Sequence, residues 1–389
     1  MKTEPYKGVR DFYPPDMAIQ NYLFGVMKKT AESFGYLEYN SSILEPSELY
    51  RGKTSEEIVN EQTYTFTDRG GRDVTLRPEM TPTVTRMIAG KRREFALPLR
   101  WYSIPNVFRY ERPQRGRLRE HWQLNCDVFG VAGLEAETEI ISLAYRLMKN
   151  FGAADVDFEI RANSRKIIAA GLVPKDFSEE QIRDFTRKLD RGDPTPADIH
   201  FEPDEEIKKL LAALKENGIN NIRFDQTLAR GFDYYTGIVF EVFDTAPENN
   251  RALFGGGRYD NLLEIFDEEK IPAVGFGMGD VTIRDFLETH KLLPTYQSTT
   301  DIYLCNAGVN FNKLEKIAQE IRDNGLRVAI DLSDKKVGVQ IKIAVRQQIP
   351  YILCVGEEEL KNGQFKLKKL ANGEEKTLTL QEINAQNLF

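Results

Sequence analysis

Histidine and cysteine are scarce in this chain of 389 residues, and their positions exclude several kinds of site. Each of the two residue types occurs three times. The positions are His121, His200, His290, Cys126, Cys305 and Cys354. Their spacing matches neither a metal-ligand pattern nor a disulfide framework. We therefore expect no structural or catalytic zinc site, and we predict that the three cysteines are small buried hydrophobic residues.

Long apolar runs are missing as well. A membrane-spanning helix needs about 20 consecutive apolar residues, and no run in the sequence approaches that length. The first residues, MKTEPYKGVRDFYPPD, contain no apolar segment of the kind found in signal peptides. Hydrophobic residues make up 41% of the chain and charged residues 29%, as in globular proteins. We expect an unprocessed cytoplasmic protein of two or three domains, because 389 residues exceed one ordinary core.

Negative charge prevails overall, with one local exception. The formal net charge of -7 argues against a protein that simply coats nucleic acid. Between Arg77 and Arg119, however, arginines and lysines far outnumber the three acidic residues, which are Glu79, Glu94 and Glu111. An acidic protein with one arginine-dense segment indicates a cleft that binds phosphate.

Helix and strand signals do not alternate in the first three quarters of the chain. A helix is predicted over residues 17–34, with Asp16 as its N-cap and Gly35 as its stop. Extended segments are predicted at 64–66, 74–76, 101–110 and 122–129, and a long helix at 135–150. This order predicts an α+β fold with an antiparallel sheet rather than a doubly wound fold.

The sequence predicts two domains and one insertion. The main domain is discontinuous and comprises residues 1–163 and 222–292. Residues 164–221 are rich in Lys, Asp and Glu and have helical periodicity, so they are predicted to form a short helical insertion. A polar linker follows at 293–300. Strands then alternate with helices over 301–389, which predicts a separate α/β domain with a largely parallel sheet.

The segment FRYERPQRGRLREHWQLNCDVFG predicts a β-hairpin with an arginine-rich loop. Gln123, Asn125 and Asp127 share one face of the returning strand, and Arg109 and Glu111 would share a face of the first strand. The antiparallel pair would display an arginine beside polar acceptors. A solvated, salt-bridged hairpin is the alternative, and the five arginines around one loop favour a binding surface over it.

Three further segments combine glycine with polar or aromatic residues: LARGFDYYTG, GGGRYD and VGFGMG. Tyr234 and Tyr235 follow Arg230 and Asp233 closely, so they are candidates for a pocket wall, although paired tyrosines also serve as interior packing. A glycine-rich loop alone is weak evidence for a nucleotide site. VGFGMG has no preceding βαβ unit, which excludes a dinucleotide-binding loop.

Together these segments resemble the histidyl-tRNA synthetases, a family of class II aminoacyl-tRNA synthetases. FRYERPQRGRLREHWQ is similar to the second class motif, while TLRPEMTPTVTR, RGFDYYTG and GGGRYD resemble signatures of the histidine-specific branch. KGVRDFYPPD and the following helix resemble the first motif, which implies a homodimer. The final ~90 residues resemble the anticodon-binding domain of several class II synthetases. The resemblance implies ATP, L-histidine and tRNA(His) as substrates.

The resemblance also implies roles for single residues. Arg109 and Arg230 would be catalytic and would contact the α-phosphate of ATP. The other ATP contacts would come from Glu111, Arg117, Gly277 and Gly279, and Mg²⁺ would accompany the nucleotide. The histidine-binding residues would be Glu79, Thr81, Gln123, Asp127, Tyr234, Tyr235 and Tyr259. The reaction needs no general base, because an amino-acid carboxylate is already ionised at pH 7.

Contacts with tRNA would come from two parts of the chain. In the hairpin loop the candidates are Gln114, Arg115 and Arg119. In the C-terminal domain, basic residues lie on or near one predicted helix, for which a solvated helix face is the alternative. These residues are Lys335, Lys336, Lys342 and Arg346.

The chain departs from the family pattern at three places. The insertion is short, and Asp127 stands where the family more often carries glutamate. In the third motif, Thr282 occupies the position of an arginine that grips the γ-phosphate of ATP. Arg284 is two residues further, about 200° around a helix, so it cannot simply replace that arginine. Arg117 is the first candidate for this contact and Arg284 the second.

The leading hypothesis is therefore a histidine--tRNA ligase that makes histidyl-adenylate and transfers histidine to tRNA. A catalytically silent paralogue, the histidine-sensing regulatory subunit of ATP phosphoribosyltransferase, is the alternative. Such regulators generally lack the C-terminal domain and the hairpin arginines, both of which are present here. A synthetase for another amino acid and a non-enzymatic tRNA-binding module explain the tyrosine and glycine segments less well.

Overall fold

The computed structural model describes residues 3–51, 62–172, 200–229, 234–249 and 251–386, together with a few single positions between and after them. The chain divides into two compact units, Met1–Pro294 and Thr295–Phe389. The division falls inside the predicted linker, residues 293–300. None of the helices in the described ranges combines the length and apolar character that crossing a bilayer requires.

The first unit contains both helices and strands, in the mixed order expected for an α+β fold. Its helices are α1 (Pro14–Ser33), α2 (Glu48–Arg51), α3 (Thr81–Lys91), α4 (Glu135–Asn150), α5 (Arg165–Leu172), α6 (Glu205–Glu216) and α7 (Asp280–Thr289). Its strands are β1 (Leu37–Glu38), β2 (Leu44–Pro46), β3 (Tyr64–Thr67), β4 (Asp73–Leu76), β5 (Leu99–Ser103), β6 (Asn106–Phe108), β7 (Glu120–Phe129), β8 (Phe158–Ser164), β9 (Ile222–Phe224), β10 (Ile238–Asp244), β11 (Ala252–Arg258) and β12 (Ala273–Gly279). Short 3₁₀ turns occur at Arg92–Glu94, Pro247–Asn249 and Leu262–Phe266.

Most strands of this unit join one large sheet. Its order is β1-β5-β7-β12-β11-β10-β8-β9, and β6 pairs with β7 as a ninth strand. The pairings are antiparallel except at the two edges, where β1 runs parallel to β5 and β8 parallel to β9. A small sheet of order β2-β4-β3 lies apart from it. The antiparallel central sheet confirms the predicted α+β class.

The two faces of the large sheet have opposite character, because successive side chains of a strand point to opposite sides. On one face, alternate residues of β7 and β12 are buried with side chains of α1, α4 and α7 in the main hydrophobic core. These strand residues are Leu124, Cys126, Val128, Val274, Phe276 and Met278. The residues between them are polar or glycine, so they face the other side.

Helix α1 begins three residues earlier than the sequence pattern predicts. Pro14 and Pro15 occupy its first turn, and Tyr13 is the N-cap, so Asp16 lies inside the helix. Proline suits the first helical positions because the amide hydrogens there have no intrahelical acceptor. At the other end the helix stops before Gly35, whose φ of +81° lies in the left-handed region that glycine tolerates.

The described part of the predicted insertion packs into the main core. Helix α6 buries Ile207, Leu210 and Leu214 in the same hydrophobic cluster as α1 and α4. Asp204 caps this helix by accepting a hydrogen bond from the Ile207 amide at 2.9 Å. Most of 173–199 lies outside the described residues, so the prediction of a separate insertion remains a prediction.

The second unit is a small α/β domain. Its elements are β13 (Ile302–Asn306), α8 (Phe311–Asp323), β14 (Val328–Ile330), α9 (Val337–Arg346), β15 (Tyr351–Val355), α10 (Glu357–Asn362), β16 (Phe365–Lys369) and β17 (Glu375–Leu378). The sheet order is β14-β13-β15-β16-β17. The first three strands are parallel as predicted, while β16 and β17 add an antiparallel hairpin that the alternating pattern did not reveal.

The cysteines behave largely as predicted. Cys126 and Cys305 are fully buried, and Cys354 is half-buried beside Cys305 on the neighbouring strand.

A buried ion pair ties the central sheet to α4. Nε and Nη2 of Arg258 on β11 donate to the two oxygens of the Glu137 carboxylate, at 2.5 and 2.6 Å, and both side chains are almost fully buried. Arg258 also donates to the carbonyls of Val131 and Gly133. The arginine of GGGRYD therefore holds the fold together rather than facing the polar side of the sheet.

Removing one partner of this pair is expected to leave an uncompensated charge in the core. Glu137→Ala should lower the free energy of unfolding by about 3–5 kcal/mol, the usual cost of breaking a buried ion pair. Urea-induced unfolding followed by tryptophan fluorescence measures the change. The matched control is Glu94→Ala, which breaks the exposed pair with Lys91 and should change stability little. Equal effects of the two substitutions would contradict the assigned role of Arg258.

Candidate functional site

The polar face of the large sheet carries a row of side chains on β7 opposite a row of glycines on β12. Antiparallel pairing places Gly275 opposite Asp127, Gly277 opposite Asn125 and Gly279 opposite Gln123. Directly opposite residues share a face of the sheet. The predicted common face of the β7 residues is therefore confirmed, and the glycines lie beside it.

Two of these glycines, Gly275 and Gly277, cannot be replaced without displacing the polar row. A Cβ atom on Gly275 would overlap the Asp127 carboxylate, and one on Gly277 would overlap the Gln123 amide. Two glycines of β11 continue the same surface, because Gly255 pairs with Gly277 and Gly257 pairs with Gly275. We call the surface formed by residues 255, 257, 275, 277 and 279 the glycine trough. The absence of side chains at Gly275 and Gly277 makes room for the Asp127 carboxylate and the Gln123 amide.

A cluster of buried acidic and aromatic residues, which we call the pocket, lies near the trough. Tyr234 donates its hydroxyl to Glu79 at 3.0 Å and also lies 3.5 Å from the Thr81 hydroxyl. The Tyr234 ring is 4.9 Å from that of Tyr235 and 5.8 Å from that of Tyr259. The structure thus brings together five residues that the sequence assigned to one site.

Asp127 joins this pocket through Tyr259, whose hydroxyl donates to Asp127 Oδ1. Burial raises the pKa of Asp127 to about 7, and the hydrogen bond from Tyr259 opposes that shift. Burial removes the water that would stabilise the negative charge of this carboxylate. A cationic ligand stabilises that charge instead, so the carboxylate favours a ligand of this kind. Glu79 is a second acidic group, 2% exposed, in the same pocket. Their arrangement suits a ligand with an ammonium group.

The arginine hairpin differs from the prediction at its base. Strand β6 ends at Phe108, and the Glu111 amide donates to the Arg109 carbonyl at 2.8 Å. The chain therefore turns after Arg109, and a shared strand face for Arg109 and Glu111 does not apply. The Arg109 side chain donates to the Pro78 carbonyl at 2.9 Å, which places its guanidinium at the entrance to the loop that carries Glu79.

The loop arginines have distinct surroundings. Arg119 is nearly buried, donates to the Tyr6 hydroxyl and stacks on the Tyr110 ring at 4.0 Å. Arg115 lies on the surface and donates to Asp285 and Thr289 of α7. Arg117 is exposed, 3.7 Å from the Glu111 carboxylate, and Gln114 pairs with it across the loop. Contacts of these residues with ATP or tRNA remain predictions.

Sequence reasoning passed over His121 and Asn125 as site residues. Burial, followed by the charges of Arg109 and Arg10, lowers the pKa of His121 to about 3, so its imidazole is neutral at pH 7. Asn125 accepts from the Gln123 amide at 2.7 Å and donates to the Gln123 carbonyl. The two-residue period that marked Gln123 and Asp127 also marks these residues. The predicted catalytic residue Arg230 lies outside the described residues.

Comparisons with known proteins identify the family of the chain. A family model described as histidyl-tRNA synthetase matches residues 8–214 and 202–281. The histidine--tRNA ligase of Leptospira biflexa is 40% identical, and the match covers 98% of this chain and 96% of the relative. This chain belongs to the histidyl-tRNA synthetase family.

Other matches extend the likeness over the whole chain. The histidine--tRNA ligase of Thermoplasma volcanium is 37% identical over 98% of both chains. A model described as an anticodon binding domain matches residues 302–386. The crystal structure of apo S. aureus histidyl-tRNA synthetase has the same fold, with a TM-score of 0.78 at 24% identity and complete coverage of both chains. Membership of the histidyl-tRNA synthetase family confirms the class II architecture predicted for the first unit.

The glycine trough makes a direct test of the pocket possible. Gly277→Ala should weaken binding of L-histidine at least tenfold, because the new methyl group displaces Gln123 and narrows the trough. Isothermal titration calorimetry measures the affinity. Gly90→Ala is the control, since a Cβ there on α3 meets no atom within 4 Å. That control should bind normally. Normal binding by Gly277→Ala would contradict a role of Gln123 in binding histidine.

Proposed function

We propose that this protein is a histidine--tRNA ligase of the cytoplasm. It activates L-histidine with ATP to form histidyl-adenylate and pyrophosphate, and then transfers histidine to the 3′ end of tRNA(His). The observation that carries the proposal is the pocket of Glu79, Asp127 and three tyrosines beside the glycine trough, in a chain of this family. A soluble regulatory paralogue needs neither the arginine hairpin nor the C-terminal domain.

The pocket suits both ends of a histidine molecule. Asp127 and Glu79 attract its α-ammonium group, with Gln123 and Thr81 as further polar contacts. Each carboxylate is held by a tyrosine, Asp127 by Tyr259 and Glu79 by Tyr234. Tyr235 lies against Tyr234 and completes the aromatic wall for the imidazole ring. Buried hydroxyls that require a partner discriminate strongly against side chains that cannot hydrogen-bond.

Activation is a substitution at phosphorus. A carboxylate oxygen of histidine forms a bond to the α-phosphorus, the bond from that phosphorus to the bridging oxygen breaks, and the bridging oxygen leaves with pyrophosphate and the electron pair. Charge increases at the α-phosphate and on the leaving group. Arg109 neutralises the charge on the α-phosphate, and Arg230 is the second arginine assigned to that phosphate. Glu111 and Arg117 hold the adenine end and the phosphates. Fixed cations of this kind require no reorganisation during the reaction.

Mg²⁺ would reduce repulsion between the nucleotide phosphates and the attacking carboxylate. The described residues contain no group of three or more His, Cys, Asp or Glu that could hold a metal ion by themselves. Mg²⁺ commonly binds through one or two carboxylates and the phosphates of a substrate. Glu241 on β10 is a suitable carboxylate, because it pairs with Gly255 of the trough and shares that face of the sheet.

Binding of tRNA would involve the second unit as well as the hairpin. Lys336 and Arg346 lie at the two ends of α9, with Lys342 between them, and all three side chains are exposed. Basic side chains on one helix can position the phosphates of an anticodon stem. Lys335, immediately before the helix, extends the same basic surface.

A homodimer belongs to the same proposal. Large apolar side chains are exposed at the start of α1 and on the strands β1 and β2. Exposed fractions are 67% for Tyr13, 40% for Met17, 68% for Leu37 and 43% for Leu44. Exposed apolar groups of this kind mark protein contacts when they are contiguous.

Pyrophosphate exchange tests the proposed function. The protein should exchange labelled pyrophosphate into ATP only when L-histidine is present, and it should charge tRNA(His). Arg109→Gln should reduce the exchange rate about 10²–10³-fold, because it removes one preorganised cation from the α-phosphate. Retained histidine binding without any exchange in the unmodified protein would refute the ligase and favour the regulatory paralogue.

The raised pKa of Asp127 predicts a pH dependence of histidine binding. Below its pKa of about 7 the carboxyl is protonated, and the proton must leave before the carboxylate can pair with an ammonium group. Affinity should therefore rise with pH. The ratio of the affinity of the unmodified protein to that of Asp127→Asn should increase about tenfold from pH 6 to pH 8, as expected for one titrating group.

The comparison with Asp127→Asn is needed because the imidazole of the ligand titrates in the same range. That contribution is common to both proteins and cancels in the ratio. Calorimetric titrations at intervals of half a pH unit provide the measurement. A ratio that stays constant across this range would show that Asp127 carries no titrating charge in the free site.

A further inference from the structure

Thr282 leaves a question at the start of α7. Its hydroxyl donates to the carbonyl of Leu253 at 2.7 Å and lies 3.1 Å from that of Gly279, so it ties α7 to β11 and β12. It carries no charge for a nucleotide phosphate. The tip of the arginine hairpin lies beside Thr282. A Cβ atom added to Gly116 at this tip would lie 3.7 Å from Thr282 Cγ2.

The same added Cβ atom on Gly116 would lie 3.6 Å from Nη1 of Arg251. Arg251 immediately precedes β11, and β11 pairs with β12 so that Phe254 is opposite Met278. The start of β11 therefore lies beside the end of β12 and the first turn of α7. Arg251 and Thr282 are thus neighbours beneath the hairpin tip, although they are 31 positions apart in sequence.

Three other arginines of this region have acidic partners. Arg284 donates to Asp16 on α1 and to Glu288 on α7, at 3.2 and 3.0 Å. Arg115 points along α7 to Asp285 and Thr289. Arg117 lies near the carboxylate of Glu111. Each of them has an acidic neighbour that a phosphate would have to displace or compete with.

Arg251 has a different partner. Its guanidinium donates to the backbone carbonyl of Arg115, and within the described part of the chain it meets no carboxylate. A neutral carbonyl is a weaker acceptor than a phosphate oxygen. An exchange from the Arg115 carbonyl to a phosphate therefore strengthens the hydrogen bond and breaks no ion pair.

The surface between Thr282 and Arg109 is formed in part by Gly279 and His121. A Cβ atom added to Gly279 would lie 3.6 Å from the Thr282 hydroxyl oxygen and 3.7 Å from Cδ2 of His121. His121 in turn is close enough to Arg109 for the arginine to lower its pKa. A triphosphate with its α-phosphate at Arg109 can extend along this surface towards Arg251.

We propose that Arg251 is a catalytic residue that contacts the β- and γ-phosphates of ATP, in the place that Thr282 leaves without a cation. The inference rests on the proposed ligase function. Arg251 neutralises the pyrophosphate as the bridging oxygen leaves with its electron pair. When it engages the nucleotide, it also releases the hairpin tip at Arg115, so the hairpin responds to ATP.

Three variants of the full-length protein test the proposal in the exchange assay. Arg251→Met should lower kcat/KM for ATP about 10- to 100-fold, the usual effect of losing a charge-assisted hydrogen bond, and should change the KM for histidine less than twofold. Arg251→Lys should retain most activity. The double variant Arg251→Met/Thr282→Arg should recover at least tenfold, because it returns a cation to the same space from the neighbouring element.

The double variant separates charge from structure. It does not restore the hydrogen bond to the Arg115 carbonyl, so a merely structural role for Arg251 would leave it as impaired as the single variant. Arg284→Met is the matched control and should keep its KM for ATP within twofold. An unchanged kcat/KM for ATP in Arg251→Met, or a double variant without recovery, would overturn the proposal.

Equilibrium dialysis with ATP and Mg²⁺ keeps the test independent of catalysis. A protein that shows no exchange would fail as a ligase, yet the ratio of ATP affinities between the unmodified chain and Arg251→Met would still report on Arg251. A ratio of ten or more supports the contact. A ratio near one refutes it, whatever reaction the protein performs.

Discussion

The helices that cover one face of the central sheet determine where the chemistry can occur. Helices α1, α4 and α7 bury alternate residues of β7 and β12, so the residues between them must lie on the opposite face. On β7 those residues are polar, and on β12 and β11 they are glycines. A shift of one residue in the pairing would exchange the two sets and place carboxylates in the core. The hydrophobic core thus fixes the register on which the site depends.

This register brings acidic groups to a place that burial makes costly for them. Asp127 and Glu79 are 3% and 2% exposed, and a tyrosine hydroxyl donates to each. Buried charge is tolerated when hydrogen bonds or an opposite charge compensate it. The tyrosines provide the first kind of compensation, and a bound ammonium group provides the second. Burial makes the negative charge of these carboxylates unfavourable in the free protein. It therefore favours binding of a cationic ligand over a neutral one.

Local patterns in the sequence predicted the parts of the site that repeat with the period of a strand. Gln123 and Asp127 follow from alternation on β7, and the glycines at 275, 277 and 279 follow from alternation on β12. The arrangement around Arg109 could not be predicted in this way, because the strand ends at Phe108 and the chain turns. The start of α1 depends on the prolines of its first turn, and the hairpin of β16 and β17 depends on strand pairing. The periodicity of apolar residues encodes neither.

Long-range neighbours were the hardest to predict, and Arg251 shows why. A phosphate responds to the position and charge of a cation, whatever segment of the chain carries it. In an antiparallel sheet, the first residue of one strand lies beside the last residue of the next, so either can place a side chain over the same space. A sequence motif defined on β12 and α7 therefore includes only some of the positions from which a cation can reach this space. The pairing between β11 and β12 identifies the remaining positions, at the start of β11.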